Sequence, residues 1–468
     1  MEPINKIESK IKNNNKEFID KELRPFLRIP SNTMNKEGIQ KAKDFIISYI
    51  NSFSETITEY KGTHNPLILA KVGGKKKETI LIYMMYDTQP ISERENWICD
   101  PFSAEIHTLD YPLEVLGDCI IARGAYNSKT PLICFLNVVR ILKRNNELPI
   151  SLLFFFDGEE EIGSPTLLKF IEERKELFKD CIDAFYPATK QNITGNSILK
   201  LGYKGILSLT IKVRSKNNEP HSAYSGMIPN PAADLISVLN LIYSNGEFQI
   251  NSLRKSYNLT VEEESILNEL INHLDIESIK KKAGILQTLE SDTKLDFINY
   301  LFNPTFNIST LKSGFLGEGF KNYVPNNATT NIDIRFAHNV PVDVIFHEIK
   351  EKIEKFSINS NSEIELTKNL GYESSRVKKN TPLVKSLIKS AKVLGVKTEL
   401  WPISAAGAPL SKIQKFLNLN FITGGLGVGG SAHSANEFIQ YSSIVKARLS
   451  YYNFLKIYSQ LIQEQNMN

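Results

Sequence analysis

Three consecutive glutamates, Glu159 to Glu161, stand directly behind the apolar run SLLFFF, in the stretch FDGEEEIGS at 156–164. Like charges at contact distance each raise the cost of ionising the next, so such a group needs a cation, a set of donors or open solvent. A solvated acidic loop is the plain reading of a charge run. A divalent cation is the reading that does chemistry, because a bound ion lowers the pKa of water while a neighbouring carboxylate takes its proton. Other residues of suitable type are Asp87 in IYMMYDTQP, Asn127 in ARGAYNSKTP, His221 in EPHSAYSGMIPNPA and His433 in GGLGVGGSAHSANEF. Each has its own plain alternative. Asp87 can simply receive backbone N–H bonds in a turn, His221 can be an ordinary loop histidine, and Arg335 in NIDIRF can make a surface ion pair. His433 is more pointed, since the small residues around it let a ligand approach closely.

The elements that must position these residues alternate. ETILIYMMYD and ISLLFFFD are short apolar runs rich in β-formers, and helical patterns such as TPLICFLNVVRILKRN lie between them. This predicts an α/β core, a mixed and mostly parallel sheet covered by helices. The glutamates then fall between a strand's carboxyl end and a helix start, where open α/β sheets place ligands. Ser164 is expected to cap the helix that Pro165 opens. From about Gly205 the character changes to the alternating strands ILSLTIKV and ATTNIDIRF, with the stretch from Val261 to Phe302 reading as helical and polar-faced throughout. Near Asn380 the first pattern returns, with a helix opened by Thr381 and Pro382 and ended by Gly395. The division expected is a core in two parts, 1–205 and 373–468, around an inserted α+β domain at 206–372.

At 468 residues the chain is longer than one core usually supports, which also favours two domains. Its 41% hydrophobic and 23% charged residues are those of an ordinary globular protein, and a formal charge of +4 is too small to indicate nucleic acid. The cluster GGKKKE at 73–78 reads as an exposed turn. No apolar stretch approaches the roughly 20 residues needed to span a bilayer, and the first residues lack the apolar core of a signal peptide, so no membrane partner and a cytoplasmic location are expected. Cys99, Cys119, Cys134 and Cys181 have no paired spacing and read as reduced packing residues. Gly425, Gly427 and Gly430 satisfy a G-x-G-x-x-G pattern, but no second strand and no acidic residue follow to complete a dinucleotide site.

Taken in order, IYMMYDTQP, ARGAYNSKTP, GEEEIGS, EPHSAYSGMIPNPA and GGLGVGGSAHSANEF resemble the motifs of the co-catalytic zinc peptidases and amidases. That family includes carnosinase-type dipeptidases, carboxypeptidase G, acetylornithine deacetylase and succinyl-diaminopimelate desuccinylase. The resemblance covers roughly residues 20–460, and the long helical stretch looks like the dipeptidase branch. It implies two zinc ions about 3.5–4 Å apart, joined by a carboxylate and a water. It also implies Glu160 as general base, Glu161 and His433 as metal ligands, and Asp87 as the residue that orients a ligand. His221 would polarise the scissile carbonyl in the partner's site of a homodimer formed through the inserted lid domain. Asn322 and Arg335 would bind the substrate's carboxylate end, the arginine suiting bidentate contact.

The sequence departs from this pattern at the metal. Met85 stands where a histidine ligand is expected, Asn127 replaces the bridging aspartate, and Thr189 replaces an acidic ligand. A thioether suits soft cuprous ion rather than zinc, and an asparagine brings a carbonyl oxygen without charge. In PISAAGAP, Ile403 and Gly407 stand where an arginine and a serine are expected. The resemblance therefore implies at most one zinc per chain, on Glu161, His433 and Asn127, or none. Two functions follow: hydrolysis of dipeptide or acyl-amino-acid amide bonds by a reduced site, or a catalytically silent relative acting in binding or regulation.

Overall fold

A computed structural model describes residues 6–282, 284–290, 292–407 and 411–467. The chain forms two compact units, one running to Leu201 and resuming at Val377–Trp401 and from Lys412, the other comprising Gly202–Arg376 and Pro402–Ser411.

The first unit is built on a six-stranded sheet. Its strands lie in the order Thr56–Tyr60, Leu67–Val72, Ser151–Asp157, Thr79–Met85, Cys181–Pro187 and Asn420–Gly424. The first two junctions are antiparallel and the remaining three parallel. Every residue of Thr79–Met85 and of Ser151–Asp157 is buried, as expected of parallel strands covered on both faces. The helix Lys129–Arg144 and the terminal helix Ile444–Met467 supply cover. Phe135 lies 6.1 Å from the Phe185 ring and 5.4 Å from Tyr451, and Phe185 lies 4.2 Å from Phe454. Each such ring contributes about 1.5–3 kcal/mol through burial. Register Met85↔Asp157 then sets the loops after these two strands side by side.

A smaller four-stranded antiparallel sheet has the order Gly429–Gly430, Phe438–Gln440, Asp118–Ile121 and Glu105–Thr108. The loop between its first two strands carries His433.

The second unit holds a four-stranded antiparallel sheet, ordered Thr305–Ser313, Asn327–Phe336, Gly205–Arg214 and Glu363–Tyr372. Burial alternates along its two central strands, and Leu207, Leu209, Ile332 and Ile334 pack with Val238 and Ile345. The helices Pro231–Ile242 and Val342–Asn359 provide those last two residues.

Two local expectations are corrected. The stretch from Val261 to Phe302 is broken into the helices Val261–Ile271, Ile276–Lys282 and Thr293–Phe302. Asp292 accepts hydrogen bonds from the N–H groups of Lys294 and Leu295, a cap that starts a new helix. Ser164 does not cap Pro165–Glu173. Its hydroxyl donates to Asp157 Oδ2 at 2.6 Å and its φ is +53°. A bond to a buried carboxylate, about 1.5–3 kcal/mol, outweighs a cap of about 1 kcal/mol. Glu159 takes over that capping role, accepting from the N–H of Thr166 at 3.1 Å.

Candidate functional site

The three glutamates part company. Glu159 is buried and spends its carboxylate on main-chain N–H groups, those of His64 at 2.6 Å and Asn65 at 2.9 Å besides Thr166. The backbone N–H groups of Glu160 and Glu161 donate to Asp87, at 3.2 Å to Oδ1 and 3.1 Å to Oδ2, and the Thr33 hydroxyl adds 2.9 Å to Oδ2. Asp87 thus clamps the turn from below, the plain role weighed for it. Burial first, then the charges of Asp157 and Glu161, hold its carboxyl well above the usual carboxylate range. Asp157 is pushed up to about 6, chiefly by burial. Burial likewise raises Glu160, reinforced by Glu161, Asp87 and Asp157 and opposed by Lys190.

Glu161 meets two of the sequence-selected residues. Its Oε2 lies 3.3 Å from His433 Nε2, and its Oε1 accepts from Asn127 Nδ2 at 3.2 Å. Asn127 Nδ2 is itself 3.1 Å from His433 Nε2, and Gln89 Nε2 donates to Glu161 Oε2 at 2.7 Å. The hydrogen bond that Glu161 accepts from His433 is the main cause that raises the pKa of His433. The Glu161 side chain is 3% exposed and that of His433 53%, so this group opens to solvent on the histidine side. His433 has φ +62°, with Ser431 and Asn436 both at +57°. Non-glycine residues rarely adopt this left-handed region, and strain of this kind gathers at functional loops.

Glu437, which sequence reasoning passed over, holds Asn127 in place. Its Oε1 accepts from the N–H groups of Tyr126 at 2.9 Å and Asn127 at 2.8 Å, and its Oε2 from Gly124 at 2.9 Å and Arg123 Nη1 at 3.1 Å. Its place four residues beyond His433 was the available signal.

The other side of the turn is different. Met85 ends its strand buried, opposite Asp157. Thr189 is buried, and its hydroxyl makes a long 3.5 Å bond to the carbonyl of Tyr126. Lys190 was also missed, although it directly follows the altered position 189. Its ammonium lies 5.8 Å from the Tyr126 ring centroid. Burial lowers its pKa while Glu160 pulls it back up.

In the second unit, His221 and Asn322 lie on neighbouring segments. The N–H of Ser222 donates to the Asn322 carbonyl at 3.0 Å, and His221 bridges to Tyr323. His221 Nδ1 accepts from the N–H of Ala223 at 3.1 Å. Arg335 sits on the strand Asn327–Phe336 between Ile206 and Thr305. Lys204, whose ammonium donates to the carbonyls of Tyr300 at 2.9 Å and Asn303 at 2.7 Å, is lowered to about 7 by burial and then by Arg335. Ile403 is buried, and a Cβ added at Gly407 would meet Ile206 Cγ2 at 3.0 Å. The backbone path there leaves little room for a serine.

A mixed, mostly parallel sheet bearing a buried carboxylate turn at its strand ends, with a second unit inserted in the chain after it, defines an α/β protein of two units. The sequence profile of Peptidase family M20/M25/M40 matches residues 81–457, and the chain belongs to that family. It is 28% identical over 312 residues to a Cys-Gly metallodipeptidase of Schizosaccharomyces pombe, covering 64% of this chain and 62% of that one. It is 26% identical over 305 residues to a Beta-Ala-His dipeptidase of Rattus norvegicus, covering 64% and 59%. The match therefore spans about three fifths of the length of these curated relatives. The fold is similar to that of an M20 family metallo-carboxypeptidase from Sulfolobus solfataricus, with TM-score 0.83, 27% identity, and coverage of 94% of this chain and 98% of the other. Among the described residues, no helix is long and apolar enough to cross a membrane.

Proposed function

We propose that this chain is a dipeptidase-like amide hydrolase that works with at most one metal ion, held by Glu161, His433 and Asn127, whose amide turns over to bring its carbonyl oxygen where Nδ2 now stands. The observation that carries this reading is the 3.3 Å separation of Glu161 Oε2 from His433 Nε2. Two ligands of one tetrahedral zinc, each at about 2.0–2.1 Å, stand roughly 3.3 Å apart. A carboxylate, an imidazole and an amide oxygen also supply three protein ligands with a position left for water, the usual catalytic arrangement. A second ion fits poorly, because Met85 offers a neutral thioether, the Thr189 hydroxyl is turned to a backbone carbonyl, and Lys190 already brings positive charge to Glu160.

When bound, one zinc supplies a water whose pKa is near 7. The chain's own residues do the rest. Glu160, its proton affinity raised by burial and by like charge, would take a proton from the attacking water and return it to the departing amine. The charge of Lys190 opposes that rise. Asp87 holds both glutamates through their backbone, and Glu437 holds Asn127. In the second unit, Arg335 and Asn322 recognise the carboxylate end of a small peptide or acyl-amino acid. His221 serves the partner of a homodimer formed through the domain at 206–372. The proposal includes a cytoplasmic location, supported by four free cysteines.

A second reading, a catalytically silent relative that binds or regulates, is favoured by the charge of Lys190 acting on Glu160 and by the three replaced ligand positions. Zinc analysis of protein purified without chelators, with hydrolysis of Cys-Gly and β-Ala-His, separates the two. The hydrolase reading expects one zinc that Glu161→Gln or His433→Ala removes together with hydrolysis. No zinc at these residues and no hydrolysis under zinc-replete conditions supports the silent reading. Two zinc ions lost on Glu161→Gln would overturn the one-ion site.

A further inference from the structure

Three donors of different chemistry meet outside this site, at the edge of the smaller sheet. Glu105 and His107 are two residues apart on the strand Glu105–Thr108, so their side chains leave the same face. His107 Nε2 lies 3.1 Å from Glu105 Oε2. A turn returns Cys99 to them. In it the Asp100 carboxylate accepts from the N–H of Phe102 at 2.8 Å, and the Asp100 carbonyl accepts from the Ser103 hydroxyl at 2.8 Å. A sulfur of Cys99, a carboxylate oxygen of Glu105 and a ring nitrogen of His107 all lie within 4.8 Å of one another.

We propose that Cys99, Glu105 and His107 form a binding site for a thiophilic divalent metal ion of the zinc class. The donors suit it. A thiolate and a carboxylate offset the ion's two charges, imidazole is a preferred neutral ligand, and three protein ligands leave one position for water. Ligands around tetrahedral zinc stand about 3.3–3.8 Å apart, so the set closes on an ion by side-chain rotation of about 1 Å. The carboxylate and imidazole are already in contact. Access is open, since the His107 side chain is 33% exposed and that of Glu105 52%. The sulfur is anchored, because Cys99 packs with Trp97 and Leu113 against the small cluster of Leu109, Leu116 and Phe438. Calcium and magnesium, which prefer all-oxygen ligands, do not suit a thiol and an imidazole.

The site also has a structural consequence. The N–H of Ile98, next to Cys99, donates to Asn436 Oδ1 at 2.9 Å, and Arg123 joins Glu95 at 2.9 Å to Glu437 at 3.1 Å. A metal tying Cys99 to the edge strand therefore stiffens the segment that holds the loop of His433. This inference does not depend on the hydrolase reading, since none of its ligands belongs to that site.

Cobalt tests it, because only a thiolate ligand gives an intense sulfur-to-metal charge-transfer band in the near ultraviolet. The full chain, stripped with chelator and titrated with Co²⁺, is expected to show that band at one equivalent. Cys99→Ser should abolish it, and His107→Ala or Glu105→Gln should weaken cobalt affinity at least tenfold. The double variant Glu161→Gln, His433→Ala should keep it, which separates this site from the one above. Zinc should slow alkylation of Cys99 in the unmodified chain at least tenfold, a measurement that needs no variant to fold. Absence of the band at saturating cobalt, its survival in Cys99→Ser, or an alkylation rate indifferent to zinc would overturn the proposal.

Discussion

The two sides of the carboxylate turn use the same clamp in opposite ways. On one side the Glu161 carboxylate meets the side chains of Asn127, His433 and Gln89. On the other side the charge of Lys190 acts on Glu160, while Thr189 is engaged with the carbonyl of Tyr126. Both glutamates hang from Asp87 by adjacent N–H groups. One buried carboxylate thus fixes a pair whose fates are decided by what lies across the crevice. In the proposed reading a divalent ion enters where Glu161, Asn127 and His433 converge, whereas on the other side the charge of Lys190 acts on Glu160.

The comparison breaks most visibly if the shared clamp is removed. Asp87→Ala leaves two N–H groups and the Thr33 hydroxyl without their acceptor in a buried place. At about 1–3 kcal/mol for each group left unsatisfied, a loss of about 3–5 kcal/mol in urea unfolding is expected. Asp87→Asn, which keeps one acceptor, should cost about half as much. A loss below about 1 kcal/mol for the alanine variant would mean that the turn does not hang from Asp87.

The next effect sharpens the division of labour. Glu160→Gln should lower kcat for dipeptide hydrolysis by about 10²- to 10⁴-fold while leaving zinc content unchanged. Glu161→Gln should lose the zinc as well. A Glu160 variant that loses zinc would place both glutamates on the metal and erase the distinction between the two sides.

Smaller again is the effect of Lys190→Met. Without that charge the like charges around Glu160 are less opposed, so its carboxyl holds its proton to higher pH. The acid limb of the pH–rate profile should move upward, with activity near neutral pH falling about tenfold. An unmoved acid limb would show that Lys190 does not act on Glu160.

The least effect concerns stability and pH in the metal-free chain. Glu161 raises the pKa of His433 above its ordinary 6.5. A histidine raised on folding contributes stability that is fully present below its unfolded pKa and is lost as pH rises through the folded value. Chelator-treated protein should therefore lose stability upward from about pH 6.5, and His433→Ala should not. Because His433 is half exposed, the difference should stay under about 1 kcal/mol. An equal slope in both proteins would remove the ion pair from the account.

Much of the architecture was legible beforehand because it rests on local pattern. Short uninterrupted apolar runs rich in β-formers, such as TILIYMM and SLLFFF, read as strands covered on both faces, as they are, and that placed Glu160 and Glu161 at a strand end. The approach of Glu161 to His433, 272 positions apart in number, was readable only through motif order. Ser164 was misread because capping rules see neighbours along the chain, whereas Asp157 outbid the cap across a turn. The break at Asp292 was misread because helical periodicity continues on both sides of it.

By itself, then, the sequence determined the α/β class, the family and the types of donor available, since these depend on residue identity and short-range period. Only the tertiary structure decided that Glu159 caps a helix, that Lys190 answers Glu160, that Glu437 cradles Asn127, and that Cys99 turns back to Glu105 and His107. The physical reason is that a charge's partner is chosen by distance in space and by loss of water, and neither is encoded in spacing along the chain.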